Sequence, residues 1–321
     1  MKLLVLGGTK FLGRHAVDAA LDAGHDVTIF TRGQTNAGLF PDAEHLVGDR
    51  DGALGALAGR HWDGVVDTSG YVPRVVRQSA ELLRDAVGRY VFVSSISVYD
   101  DFSEPVDEGS PVAQLEDPAT EEIMEAYGAL KAACENVVEE VYGERSALVR
   151  AGLIVGPYDP TDRFTYWPRR IALGGDVLGP GRPDAPVQFV DARDLARWLV
   201  TLALDGPGGT FNATGPAEPM TFSQLLERAR EAIGADANVV WVDDQRVLDA
   251  EVQPWTELPL WLPGAEYAGM ARADIGRALD AGLTFRPLEE TVVDTLAWDR
   301  GVPGDRPTLK HHREQEILAA A

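Results

Sequence analysis

Three features of this 321-residue sequence predict a doubly wound α/β fold: a parallel sheet covered by helices on both faces, with a smaller C-terminal α/β lobe. Over the first 156 residues, short apolar runs alternate with amphipathic stretches of helical period. Runs such as "GVVDTS" (64–69) and "YVFVSS" (90–95) are apolar on both faces, as strands buried from above and below must be. The first run, "LLVLG" (3–7), passes through a glycine turn directly into a helical pattern.

The other strand candidates in this half are "DVTIF" (26–30), "HLVGD" (45–49) and "SALVRA" (146–151), and helical patterns cover 12–23, 72–87 and 121–142. Right-handed crossovers between them place a ligand crevice at the carboxyl ends of the strands. Past residue 156 the texture changes. "GPYDPTDRFTYWPRR" and "LGPGRPDAPVQF" are rich in Pro, Gly and aromatics, as pocket-building loops are. A helix over 190–204, a strand over 210–215 and a helix over 221–234 with Thr221 as N-cap follow. The expected division is a dinucleotide-binding domain over 1–156 and a substrate lobe over 157–321, with 186–215 packing back on the sheet. Pocket residues are expected from 68–74, 100–120, 157–189 and 241–268. Tyr158, Phe164, Tyr166 and Trp167 fit equally as ligand contacts or as core between the lobes. The final residues, with His311 and His312, read as a surface tail, and no metal set is expected.

The formal charge of −22 argues against nucleic acid and anionic membrane as partners, since both attract Lys and Arg. Only four lysines are present (Lys2, Lys10, Lys131 and Lys310) against 25 arginines. No apolar run approaches the roughly 20 residues that span a bilayer. The one cysteine, Cys134, sits in an apolar helical pattern and fits packing in a reducing compartment. A cytoplasmic protein with a small-molecule substrate is the expectation.

In "GGTKFLG", Gly7 and Gly8 permit the tight turn, and Gly13 lets the helix approach the strand. Thr9, Lys10, Phe11 and Leu12 complete a loop whose free N–H groups and helix dipole suit phosphates. Lys10 stands where a second spaced glycine is usual, and is expected to begin a helical turn that tolerates a Cβ. The second strand ends "TIFTRG", with no acid for a ribose 2′-OH; Arg32 instead suits a 2′-phosphate, so NADP is expected and NAD is possible. Asp49, ending the third strand, is placed either to meet an adenine edge or to cap its own turn. "YGALK" sets Tyr127 and Lys131 four apart on one helix face, where an ammonium near a phenol favours the phenolate.

These motifs, with "SSISVY", "RAGLIVGP" and "VQFVDARDLA" in that order along nearly the whole chain, resemble the extended short-chain dehydrogenase/reductase family, which contains NAD-dependent epimerases and dehydratases. The resemblance implies a Rossmann sheet and a catalytic trio. Its Ser lies four residues before the Tyr of "VY", which selects Ser95 over Ser94 or Ser97. Tyr127 is then the general acid/base, Ser95 polarises the reacting oxygen, and Lys131 holds the nicotinamide ribose and lowers the Tyr pKa. Ser69 and Ile154 join the cofactor contacts, the latter flanking the nicotinamide. A homodimer through the helices carrying and preceding the Tyr–Lys motif is also implied.

Departures from the family pattern sharpen the expectation. Leu153 replaces an Asn, and Val187 an Arg, that touch the diphosphate in sugar-nucleotide members, although Arg163 or Arg182 could substitute. Ile96 and Ser97 stand where a dehydratase has an Asp–Glu pair. "GGTKFLG" with "FTRG" is most similar to an atypical branch holding reductase-like proteins and relatives of chloroplast stem-loop-binding proteins. The first reading is therefore an NAD(P)-dependent oxidoreductase. A sugar-nucleotide epimerase is the alternative, and a non-catalytic, RNA-binding member of the fold the second alternative.

Overall fold

The computed structural model describes residues 1–304 and 306–320. The first half builds β1 (Lys2–Leu6), α1 (Phe11–Asp22), β2 (Asp26–Thr31), β3 (Glu44–Val47), β4 (Trp62–Asp67), α2 (Pro73–Leu83), β5 (Val87–Ser95), α3 (Ile123–Tyr142) and β6 (Ser146–Ala151). There follow β7 (Ile154–Val155), α4 (Tyr166–Ala172), β8 (Gly175–Pro180), β9 (Pro186–Val187), β10 (Val190–Asp191), α5 (Ala192–Leu204) and β11 (Gly209–Ala213). The chain ends with β12 (Met220–Thr221), α6 (Phe222–Ile233), β13 (Ala237–Val242), α7 (Asp244–Asp249), α8 (Gly276–Asp280), α9 (Leu288–Asp299) and α10 (His311–Ala319).

Seven strands form one parallel sheet in the order β11-β6-β5-β4-β1-β2-β3. The chain steps outward from β1 through β2 to β3, then returns to β4 and steps the other way. Its direction reverses between β1 and β4, which opens the crevice at their carboxyl ends. The period of two along β1 sorts the core. Leu3 and Val5 pack beneath α1 and α5, with Ala16, Val17, Leu195 and Leu199. Leu4 and Leu6 face the other way, toward Val76 of α2 and Val138 of α3. Cys134 is buried in that second layer, and burial pushes its thiol up to about 12. The predicted strands over 45–49 and 64–69 stop two residues early, at Val47 and Asp67.

α5 packs on α1, and β11 extends the sheet beside β6, so chain from beyond residue 186 completes the sheet layer. The rest of the C-terminal half has its own core. Phe164, Tyr166 and Trp167 are buried there, with Trp167 edge-on to Phe222 at 5.1 Å. These three aromatics are therefore core and not ligand contacts. Tyr158 lies elsewhere, stacked under the Arg14 guanidinium at 3.6 Å and beside His15. Thr221 caps α6 through a reciprocal capping box with Gln224. Among the described residues no helix is long and apolar enough to cross a membrane.

The C-terminal segment is not a surface tail. Glu314 of α10 is 0% exposed, pairs with Arg170 of α4 and accepts the Leu178 N–H at 2.9 Å. The amphipathic pattern of nine residues is too short to reveal this; one buried charge decides it. Glu314→Ala strands the buried Arg170 guanidinium and is expected to cost about 3–5 kcal/mol. The measurement is the fall in the denaturant midpoint relative to the wild type.

Candidate active site

The glycine turn is forced by close approach. Gly7 and Gly8 have φ of +111° and +98°, which L side chains avoid. A Cβ on Gly7 would lie 2.4 Å from Thr68 Oγ1, and one on Gly13 would lie 2.6 Å from the Gly8 nitrogen. Lys10 does not begin the helix. Its backbone is extended (φ −131°, ψ 144°), and α1 starts at Phe11. An extended residue carries a Cβ without strain, which is why no glycine is required there. Leu12 is buried in the core under α1, so only its main chain faces the crevice. Thr9 is buried too, its carbonyl accepting from Asn36 Nδ2 at 2.9 Å. α1 has no acidic side chain in its first turn, leaving its positive end and free N–H groups uncompensated.

This cradle fits a dinucleotide diphosphate. The side chains of Lys10 and Arg32 are exposed beside it and make no ion pair or hydrogen bond among the described residues. Asp49 caps its own turn, accepting the Asp51 N–H at 3.0 Å through one oxygen. Ser69 donates to the Leu6 carbonyl at 3.1 Å, tying the end of β4 to β1.

Beneath this end of the crevice lies a group that sequence reasoning missed. Asp67 is 0% exposed and receives Arg50 Nη1 at 2.5 Å, the Tyr90 hydroxyl at 2.7 Å and the Ser69 N–H at 3.0 Å. Burial works to raise its pKa, but the Arg50 charge and these donors outweigh it and hold the carboxyl below its ordinary value. The available signal was a carboxylate inside the apolar run "GVVDTS".

Ser95 ends β5, and its Oγ accepts the Ser97 N–H at 3.1 Å, which leaves the hydroxyl hydrogen to donate toward Tyr127 or a ligand. The Ser94 Oγ is buried, and Ser97 stands on the following turn. α3 kinks at Ala126 (φ −122°, ψ 28°), and Tyr127 opens the regular helix after the kink. A Cβ on Gly128 would lie 2.0 Å from the Ser97 carbonyl oxygen, so the glycine of "YGALK" is what lets α3 meet the end of β5. Ser95 and Tyr127 then face one cavity of about 980 Å³, together with Phe11, Tyr71 and Ile154.

Lys131 is brought into the same region but not in the expected electrostatic role. It is 3% exposed and donates to the carbonyls of Gly70 at 2.7 Å and Val93 at 2.6 Å, leaving one of its three N–H groups. Burial pushes its pKa down to about 8. The Tyr127 phenol lies above its ordinary value instead of below it. Burial is the largest cause, and a hydrogen bond from Ser95 and the charge of Arg163 only partly offset it. Lys131 is not among the groups that shift this phenol, and its ammonium is directed at the two main-chain carbonyls. Tyr71 was foreseen only as part of a segment, yet its ring lies 5.3 Å from the Lys131 ammonium and 6.5 Å from the Tyr127 ring.

More of the wall comes from 151–154, 180–188 and 255–272, where Trp255 and Trp261 line it with Leu153 and Val187, and Arg163 and Asp244 join them. The expected segment 100–120 does not line it. That chain is drawn away by a bridge between Tyr99 and Val112 and by Phe102 and Val106, which pack in a separate cluster.

A strand–glycine turn–helix at the switch point, facing a strand-end serine and a helical Tyr–Lys pair, defines a dinucleotide-dependent α/β protein. Residues 74–214, under half of the chain, match the model of the NAD dependent epimerase/dehydratase family. It is 28% identical over 265 residues to 2-alkyl-3-oxoalkanoate reductase of Stenotrophomonas maltophilia, covering 73% of this chain and 76% of that one. It is 32% identical over 253 residues to the chloroplast stem-loop binding protein of 41 kDa b of Arabidopsis thaliana, covering 73% of this chain but 63% of that one. Among solved structures, UDP-glucuronic acid 4-epimerase from Bacillus cereus in complex with NAD superposes with a TM-score of 0.65 at 17% identity, over 93% and 96% of the two chains. The UDP-Glc/GlcNAc 4-epimerase from Campylobacter jejuni gives 0.68 at 13% identity, over 94% and 99%. These structural likenesses show the fold.

The chain's four lysines make the state of Lys131 measurable. In ¹³C-lysine NMR its side-chain signal should titrate near pH 8. Unfolded lysine titrates near about 10.4. Between these values the folded chain holds fewer protons, so burying Lys131 destabilises fully below about pH 8, and this cost fades as the pH rises. A Lys131 signal unmoved at pH 9 would contradict the assignment.

Proposed function

We propose that this protein is an NADP(H)-dependent oxidoreductase in which Tyr127 exchanges the proton. The observation that carries this reading is the convergence of Ser95 and Tyr127 on one cavity beside the glycine cradle, with Lys131 buried behind them. Residues 1–156 serve as the cofactor domain and 157–321 as the substrate lobe, with 186–215 completing the sheet. When bound, the nicotinamide supplies the hydride acceptor or donor. The main chain of Gly7–Gly13 holds the diphosphate, Lys10 and Arg32 the 2′-phosphate, and the second oxygen of Asp49 the adenine edge. Ser69 and Ile154 bound the nicotinamide half, and the third N–H of Lys131 reaches its ribose.

Ser95 donates its hydroxyl hydrogen to the reacting oxygen, and Tyr127 delivers or removes the proton there. A phenol held above its ordinary value is protonated at neutral pH, the form that donates to a carbonyl. This favours the reductive direction, and oxidation is expected to speed up as the pH rises.

The likeness to solved 4-epimerases supports a second reading, sugar-nucleotide epimerisation through the same residues. Leu153 and Val187 on the cavity wall weigh against it, since neither can bind a diphosphate. The net charge of −22 and the intact trio weigh against an RNA-binding role. Mass spectrometry of cofactor released from denatured protein separates the two enzymatic readings: tightly retained NAD with no net redox change supports the epimerase.

Tyr127→Phe is expected to lower kcat by about 10²–10⁴ while NADPH affinity moves by less than about twofold. Unchanged turnover would sink the mechanism. Lys10→Ala and Arg32→Ala should each weaken NADPH binding by about tenfold and NADH binding far less, as titrated by nucleotide fluorescence. Equal losses for the two nucleotides would remove these residues from selectivity.

A further inference from the structure

Resting on the oxidoreductase reading, we propose that the substrate is an oxo or hydroxy acid with an apolar or aromatic body, and that Arg163 holds its carboxylate beside Tyr127. Arg163 shares the cavity with Ser95 and Tyr127, and its guanidinium lies 5.9 Å from the Trp255 ring centroid. It is exposed and makes no ion pair or hydrogen bond among the described residues. Arginines nearby in the chain are neutralised: Arg169 by Asp162 and Asp299, and Arg170 by Glu314.

The loop that presents Arg163 is locked on both sides. Tyr158 and Asp162 adopt φ of +70° and +59°, a strained region for such residues. Asp159 and Asp162 are only 2% and 4% exposed. Asp159 Oδ1 accepts the Thr161 N–H at 2.8 Å and the Thr161 hydroxyl at 2.6 Å, Asp162 pairs with Arg169, and Phe164 is fully buried. Two buried carboxylates and two residues of positive φ thus hold one cation, felt electrostatically by Asp159 but in no ion pair or hydrogen bond among the described residues, on the cavity wall it shares with Ser95 and Tyr127. Strain of this kind persists where the surroundings enforce a function.

The cavity's other charges favour a single carboxylate over a diphosphate. Asp244 lies on the wall, held by Trp261 Nε1 at 2.7 Å, and Arg182 pairs with Asp184 at 3.5 Å. Arg272 also lines the cavity, but Arg163 is the cation whose charge reaches the Tyr127 phenol. One planar guanidinium matches one carboxylate by a bidentate pair. Leu153, Val187, Trp255, Leu260, Trp261 and Leu262 offer the remainder of the ligand an apolar surface.

The test measures NADPH-dependent reduction of phenylpyruvate and 3-oxodecanoate, each against its methyl ester, and compares the calorimetric binding of the two acids with that of UDP-glucose as the nucleotide probe. The wild type should prefer an acid to its ester by about tenfold or more, chiefly through KM. In Arg163→Ala that ratio should collapse toward one, and Arg163→Lys should restore part of it. Equal use of acid and ester, preference for UDP-glucose, or binding of NADPH with no response to either acid overturns the carboxylate assignment. Turnover that survives in Tyr127→Phe instead overturns the oxidoreductase reading beneath it.

Discussion

The ammonium of Lys131, held between the carbonyls of Gly70 and Val93, joins three elements that the active site needs in register. Gly70 follows β4, Val93 lies in β5 and Lys131 belongs to α3, so one buried cation fixes the helix against two neighbouring strand ends. Burying an ammonium is costly, and carbonyl dipoles offset the cost only in part, as the depressed pKa records. The register it sets is also the one in which Gly128 slides beneath Ser97 and Tyr127 stands opposite Ser95. Any side chain at residue 128 or a shorter cation at 131 would separate the phenol from the strand-end hydroxyl.

Buried charge recurs as the means by which distant segments are tied. Arg50 links the loop after β3 to Asp67 of β4, Arg150 of β6 pairs with Glu135 of α3, and Arg170 of α4 pairs with Glu314 of α10. Each pair is expensive to break singly, because the survivor is left buried and unpaired. Lys10, Arg32 and Arg163 form a contrasting group. They are exposed cations without an ion pair among the described residues, at the two ends of the crevice where anionic ligand groups belong.

Much of the fold was legible because the sheet is buried on both faces. A central parallel strand must be apolar throughout, so runs such as "YVFVSS" declare themselves, and the observed strands differ from expectation mainly at their crevice ends. The Tyr127–Lys131 pair was legible from helical spacing, whereas the choice of Ser95 and the roles of all three rest on the family resemblance. The direction of the Tyr127 shift was not legible, since it depends on how the surrounding chain desolvates a partly exposed phenol and on where the Lys131 ammonium points. The cavity wall was legible only in part. Trp255 and Trp261 announced themselves in a Pro-rich stretch, but segment 100–120 was drawn into another cluster by contacts distant in sequence.

The sequence by itself determined the parallel sheet, the glycine cradle and the identity of the three candidate catalytic side chains. The sheet, the cradle and the Tyr–Lys pair follow from local constraints of periodicity, positive φ and helical spacing, and Ser95 from the resemblance of "SSISVY" to the family pattern. Tertiary structure alone decided that Asp67 and Glu314 are buried with arginine partners, that Phe164, Tyr166 and Trp167 are core, and that Arg163 stands unpaired over the cavity. The physical reason is that a side chain's charge partner and its exposure are set by which remote elements pack against it, and no short window of sequence contains them.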